Sequence, residues 1–343
     1  LRKNMFEFLI EYGLFLLKVV TILMAIIVVI SFAAATKKGS KQEGLEIEDL
    51  NKKNKDLSAG LQKAILRKDE WKAVLKRDKA KIKSDAKQKK SRPKVYVIDF
   101  IGDLKASAVP ALREEVNAIL NVAKKSDQVL VRLDNHGGVV HEHGLAASQL
   151  VRIRDKNINL VVMVDKVAAS GGYLMACVAN KIYAAPFAIL GSIGVIAQLP
   201  NFNRLLDSYG VDFEQVTAGQ YKRNVTMFGK NTDEDRSKLK DQLEEVHDLF
   251  KSSVSDYRPN MDLEKVATGE HWYGKKALEL GLADEIKTSD ELLIEMSKKY
   301  DIFSVKFKVK QPLKKRLMSG VDSLFSRLED IKWRRKFESQ LPR

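Results

Sequence analysis

Apolar and polar positions follow different rhythms in successive parts of the chain. From Val19 to Ala35, seventeen consecutive residues carry no charge. With the apolar residues just before them the run reaches ~20, the length a bilayer-spanning helix needs. Residues 1–12 therefore read as an N-terminal tail and 13–35 as a transmembrane anchor, with Lys18 reaching up to an interface. A cleaved signal peptide fits less well, because its apolar core spans ~7–15 residues behind a basic segment. Residues 36–94 are dense in charge, and Leu50, Leu57, Leu61 and Ile65 recur at spacings of seven and four. That spacing predicts a helical stalk or short coiled coil ending in a polar linker. From Val95 the rhythm changes to short apolar runs. VYVIDF (95–100), VLVRLD (129–134), NLVVMVD (159–165), KIYAAP (181–186) and VDFEQV (211–216) predict strands. Helix-period segments separate the first three, so the order is β-α-β-α-β, with parallel strands and right-handed crossovers. A long amphipathic helix over 233–257 carries Leu239, Leu243, Val246 and Phe250 on one face. Residues 95–300 thus form an α/β domain, and 301–343 a basic amphipathic tail suited to an anionic lipid surface or a neighbouring subunit.

Charge sharpens that division. Sixty Lys and Arg against 45 Asp and Glu give a net charge of +15. The excess lies in the flanks: 20 basic against 9 acidic residues from Lys37 to Lys94, and 12 against 4 from Val305 to Arg343. Basic flanks around a near-neutral middle suit an anionic membrane surface better than a nucleic-acid groove. No aromatic-basic RNA motif or zinc-finger spacing is present, so no nucleic-acid partner is expected. Cys177 is the single cysteine, which excludes an intrachain disulfide and a cysteine metal site.

In open parallel sheets chemistry gathers at the carboxyl ends of strands. Three such ends carry small or glycine-rich turns: DNHGG (134–138), AASGG (168–172) and LGSIG (190–194). A serine placed where a strand hands over to a helix exposes its Oγ, and the next amide, that of Gly171, can face an oxyanion. Gly137 and Gly138 offer amides at a second turn. The bland reading of Ser170 is a helix cap beside packing glycines, and the motif alone leaves both open. His136, His141 and His143 with Glu142 do not make H-E-x-x-H and read as surface residues, so neither a metal nor a cofactor is expected. No histidine has an evident route to Ser170 beside an orienting acid.

The segment DKVAASGGYLMACVANKIYAAPFAILGSIGV, continued by TAGQYKRNVTMFGKNTDEDR and ATGEHWYGKKALELGLADEI, resembles the signal peptide peptidase A family. More closely it resembles that family's short, membrane-anchored SohB branch, over about Val95 to Ile286; EYGLFLLKVVT echoes the branch's anchor. The resemblance implies a ClpP/crotonase-like superfold and a serine endopeptidase. Ser170 of S-G-G-Y is then the nucleophile, Lys222 of G-x-Y-K the general base, and Ser192 of G-S-I-G-V the group that orients it. It also implies a homo-oligomeric ring in which a neighbouring protomer donates Lys222, and short, extended, apolar peptide substrates such as signal-peptide remnants. A lysine can act as base only as the free amine, which asks for a dry, apolar setting. Gly171, Gly138 and Gly137 are the candidate oxyanion donors. The family usually reads S-P-G-G where this chain has Asn135-His136-Gly137-Gly138, which leaves open which amide donates. Two other readings keep the fold: acyl-CoA chemistry with a two-amide hole, and a non-proteolytic membrane scaffold. For topology, Lys37, Lys38 and Lys41 favour a cytoplasmic catalytic domain. The resemblance implies the periplasmic face of the inner membrane, which is the expectation adopted, with the cytoplasmic side left open.

Overall fold

The computed structural model describes residues 11–27, 44–87, 92–219 and 221–309. Residues 28–35 of the expected anchor, the linker's 88–91 and the tail from 310 onward lie outside the described residues. The chain divides into two units, residues 1–44 with 308–343, and Leu45–Phe307. In the first, residues 11–27 (α1) are helical, and its apolar side chains are exposed, Phe15, Leu17 and Met24 by more than 60%. Among the described residues no helix is long and apolar enough to cross a membrane.

The second unit is built on a seven-stranded sheet. Its strands are β1 (Gly44–Asp49), β2 (Lys94–Ile101), β3 (Gln128–Asp134), β4 (Asn159–Val164), β6 (Lys181–Ala184), β9 (Glu285–Ile286) and β10 (Asp301–Lys308). The order is β1-β10-β2-β3-β4-β6-β9, and every neighbour pair from β10 to β9 is parallel. This is the mixed α/β architecture with a largely parallel sheet that the alternation of runs predicts. The central strands read as continuous apolar runs because both faces are covered. Tyr96, Ile98 and Phe100 of β2 enter one core with Val129, Val131 and Leu133 of β3, under α4 (Val109–Val122), α5 (Val140–Asp155) and α6 (Gly171–Cys177). Val95, Val97, Leu130 and Met163 enter the other, with Leu292 and Leu293 of α11 (Ser289–Ser297).

A second sheet orders β5 (Val167–Ala169), β7 (Ile189–Gly191) and β8 (His271–Tyr273), with β5 parallel to β7 and β7 antiparallel to β8. Asn135 links it to the main sheet: its N–H donates to the Val167 carbonyl at 2.8 Å, and its carbonyl accepts from Ala169 N–H at 3.0 Å. The stalk is two helices, α2 (Leu50–Ile65) and α3 (Lys68–Lys87). Leu50 packs against the second core, while Leu57, Leu61 and Ile65 stand exposed.

Three expectations need correction. Gly44–Asp49, expected within the helical stalk of 36–94, is instead the edge strand β1 of the main sheet. VDFEQV over 211–216 is not a strand; Val211, Phe213 and Val216 are exposed, and among the described residues no strand pairs with the run. Asp301–Lys308 is not part of a tail but a strand between β1 and β2, with Ile302 and Val305 buried. The long helix α8 (Asp233–Tyr257) forms as expected. A reciprocal capping box between Thr232 and Asp235 starts it, and Phe250 and Val254 are buried on its inner side.

Candidate active site

Parallel pairing of two very short strands creates the site's geometry. β5 and β7 run side by side, with Ala169 opposite Gly191 in the last register pair. Ser170 and Ser192 are the next residues, so both leave the sheet together at its carboxyl end. The Ser170 N–H donates to the Gly191 carbonyl at 2.8 Å, and the Ser192 N–H donates to Glu270 O. Both serines hold left-handed backbone, Ser170 at φ 53° and ψ −123°, Ser192 at φ 52°. Non-glycine residues keep such angles at a cost of ~1–3 kcal/mol, tolerated where the surroundings over-determine them. Ser170 stands at the N-cap position just before α6, yet its side chain makes no capping hydrogen bond. The capping reading therefore fails, and Ser170 instead borders a cavity.

The glycine turns close around this serine. A methyl group on Gly137 would lie 2.7 Å from Ser170 Cβ and 2.8 Å from Gly171 N, so only hydrogen fits there. One on Gly138 would overlap the backbone of Leu104. The Gly137 N–H donates to Asn135 Oδ1 at 2.9 Å and is thus already engaged. Among the described residues, neither the Gly138 nor the Gly171 amide has a hydrogen-bond partner within the protein. Ser170, Gly138 and Gly171 line one cavity of about 470 Å³ with Leu174, Val178, Val246 and Phe250. Its wall is chiefly apolar and suits an aliphatic or aromatic side chain of a bound chain.

The remaining candidates are placed differently. Ser192 is half-buried; next to it, the Ile193 carbonyl accepts from His247 Nε2 of α8 at 3.2 Å. Lys222 is exposed, in the segment between β7 and α8, and does not line the cavity. Among the described residues no hydrogen bond joins Ser170, Ser192 and Lys222 within one chain. Cys177, behind Ser170 in α6, is no competing nucleophile: burial pushes its thiol up to about 12. Tyr173 is also fully buried, its phenol held neutral well above the ordinary tyrosine range by burial and donating to Leu282 O.

The histidines part company. His136 and His141 are exposed, as their sequence suggests, whereas His143 is wholly buried against the site. The signal was present in the sequence: His143 shares the α5 stripe of Ala146, Ala147, Leu150 and Ile153, all buried.

Residues 7–150 match the model of the peptidase family S49 N-terminal region, and residues 152–302 that of peptidase family S49. A probable protease SohB of Haemophilus influenzae is 47% identical over 324 residues, covering 90% of this chain and 92% of that one. A probable protease SohB of Buchnera aphidicola subsp. Acyrthosiphon pisum is 52% identical over 233 residues, covering 68% and 69%. Among solved structures, a 1510-N membrane-bound stomatin-specific protease overlays with a TM-score of 0.41 and 14% identity, over 60% of this chain and 85% of that one.

Proposed function

The chain belongs to peptidase family S49 and is a peptidase close to the SohB proteases, and from that premise we propose a serine endopeptidase with Ser170 as nucleophile and Lys222 as base. One observation carries the proposal: Ser170 is held in strained backbone beside two unpartnered amides, at an apolar cavity. In the reaction, the neutral Lys222 amine takes the Ser170 proton and Oγ bonds to the scissile carbonyl carbon. The Gly138 and Gly171 amides hold the oxyanion of the tetrahedral intermediate. As that intermediate collapses, the C–N bond breaks and the Lys222 ammonium returns its proton to the leaving amine. Water then adds to the acyl-enzyme, Lys222 taking its proton and passing it back to Ser170 as the carboxylic acid departs. Ser192, side by side with Ser170, is the group assigned to orient the lysine.

A base lysine works from a dry pocket, whereas Lys222 is exposed in the single chain. Its segment also exposes apolar side chains that one chain leaves uncovered, including Ile196 (76%), Tyr209 (79%) and Val216 (98%). Both features favour a homo-oligomeric ring in which a neighbouring copy covers this arm and receives its Lys222. The apolar cavity favours extended peptides with an apolar residue before the scissile bond. Residues 13–35 would anchor the ring in the inner membrane, with the catalytic units on the periplasmic face. The fold assigned is ClpP/crotonase-like, the main sheet carrying the cores and the small sheet presenting the serines.

Mixed assemblies test the shared site. Ser170→Ala and Lys222→Ala chains are each inactive against an unstructured apolar polypeptide. Co-expressed, they regain hydrolysis, because some interfaces pair an intact serine with an intact lysine. Full activity of the Lys222→Ala chain by itself would exclude it as base.

A further inference from the structure

A polar pair with no solvent contact lies beneath the oxyanion turns: Asn135 and His143 are both 0% exposed. Buried polar side chains persist where their hydrogen bonds are met, and a connected set fixes one arrangement of the backbone around it. Asn135 Oδ1 accepts from Gly137 N–H at 2.9 Å and lies 3.3 Å from His143 Nε2. On the other side of the ring, His143 Nδ1 lies 3.0 Å from the Val139 carbonyl; both facing atoms are acceptors, so a neutral imidazole donates to one of these two oxygens, according to its tautomer. The imidazole therefore stands between Asn135, before the glycine turn, and Val139, after it.

The same two residues meet the nucleophile's turn, His143 through its ring and Asn135 chiefly through its backbone. A methyl group on Gly171 would lie 2.5 Å from His143 Cγ, so the ring rests directly on the Gly171 backbone. One on Gly172 would overlap the Asn135 carbonyl, and one on Gly102 the Asn135 amide group. Asn135 Nδ2 points to Met175 Sδ of α6 at 3.3 Å. Asn135 is thus locked from three sides, while His143 touches both amide-bearing turns.

We propose that Asn135 and His143 are positioning residues which together set the spacing of the two halves of the oxyanion hole. Asn135 draws the Gly137 N–H inward and leaves the next amide, that of Gly138, facing the cavity. His143 supports Gly171 from behind and rests its other edge against the same Asn135 oxygen. Neither side chain touches substrate. This rests on Ser170 chemistry for its catalytic consequence but not for its structural one.

The test therefore has two readouts. In hydrogen–deuterium exchange on the full-length protein in detergent, the Asn135→Ala variant exchanges the Gly137 amide at least about tenfold faster, the loss of one buried hydrogen bond. Peptide hydrolysis falls about ten- to hundredfold in kcat with KM little changed, as a displaced oxyanion donor requires. Affinity for a peptide aldehyde, which binds as the tetrahedral adduct, falls in step with kcat/KM. Asn135→Ser restores much of the rate, since a serine hydroxyl accepts from the same N–H two residues on. His143→Phe keeps the ring under Gly171 but lacks both nitrogens; it lowers kcat with KM again little changed, whereas a purely packing role would leave kcat untouched. Unchanged Gly137 exchange in Asn135→Ala overturns the proposal whether or not the enzyme is active. So does a folded Asn135→Ala enzyme with wild-type kcat. Failure of the wild type to hydrolyse peptide bonds while the exchange result holds would instead count against the Ser170 mechanism.

Discussion

Replacing Glu115 by Gln isolates one buried carboxyl and its effect on stability. Glu115 sits on α4, 5% exposed, and Oε1 accepts from the Phe307 N–H of β10 at 2.8 Å. Burial chiefly, and Asp99 in smaller part, raise its pKa from 4.5 to about 7, against the Phe307 hydrogen bond and the Lys306 ammonium. Because the folded-state value is the higher, the folded chain holds the proton more tightly than the unfolded chain between those two values. The group's contribution is complete below about pH 4.5, falls as pH rises through this window, and levels off above about 7. At about 1.4 kcal/mol for each pH unit traversed, the whole loss is about 3 kcal/mol. Glutamine keeps the acceptor for Phe307 N–H and cannot ionise. The variant should therefore equal the wild type near pH 4 and exceed it by about 3 kcal/mol at pH 8. Urea titrations at fixed pH read this directly: with a slope of about 3 kcal/mol/M, the midpoint at pH 8 moves up by about 1 M. Parallel pH profiles for the two proteins, or a less stable variant at pH 8, would refute the reasoning.

Two further outcomes follow from individual residues. Ser170→Gly removes the left-handed strain at φ 53°; after the entropy that glycine loses on folding, it should raise stability by about 1 kcal/mol while abolishing hydrolysis. A lower melting temperature would show that the backbone there is not strained. Asn51→Leu cuts three bonds that tie α2 to the end of α11 and to β10, those from Nδ2 to Ser297 O and Tyr300 O and that from Ile302 N–H to Oδ1. It should cost about 2–3 kcal/mol in chemical denaturation, and a cost below about half a kilocalorie would mean the stalk is not fastened through this residue.

The long strands were legible because burial on both faces writes itself as an unbroken apolar run, as in VYVIDF and NLVVMVD. The strands that build the site were not. β5, β7 and β8 have three residues each, too few for any period, and only long-range pairing defines them. That pairing is what sets Ser170 beside Ser192, so their adjacency could come from the resemblance but not from spacing. β10 was hidden by its charges: Asp301, Lys306 and Lys308 lie along a strand where Ile302 and Val305 are the residues fully taken into the cores. VDFEQV shows the converse, a strand-like alternation that the single chain leaves exposed. His143 reads as surface because two exposed histidines, His136 and His141, precede it in sequence, although its place on the α5 stripe marks it as inward.

The central claim is that Ser170 attacks the substrate with Lys222 as its base. Treatment of the assembled wild-type protein with a peptidyl fluorophosphonate, followed by peptide mapping, tests it most directly. The account predicts a stoichiometric adduct on Ser170, strongly slowed in Lys222→Ala and absent in Ser170→Ala. An adduct on Ser192 instead, or hydrolysis that continues in Ser170→Ala, would contradict it.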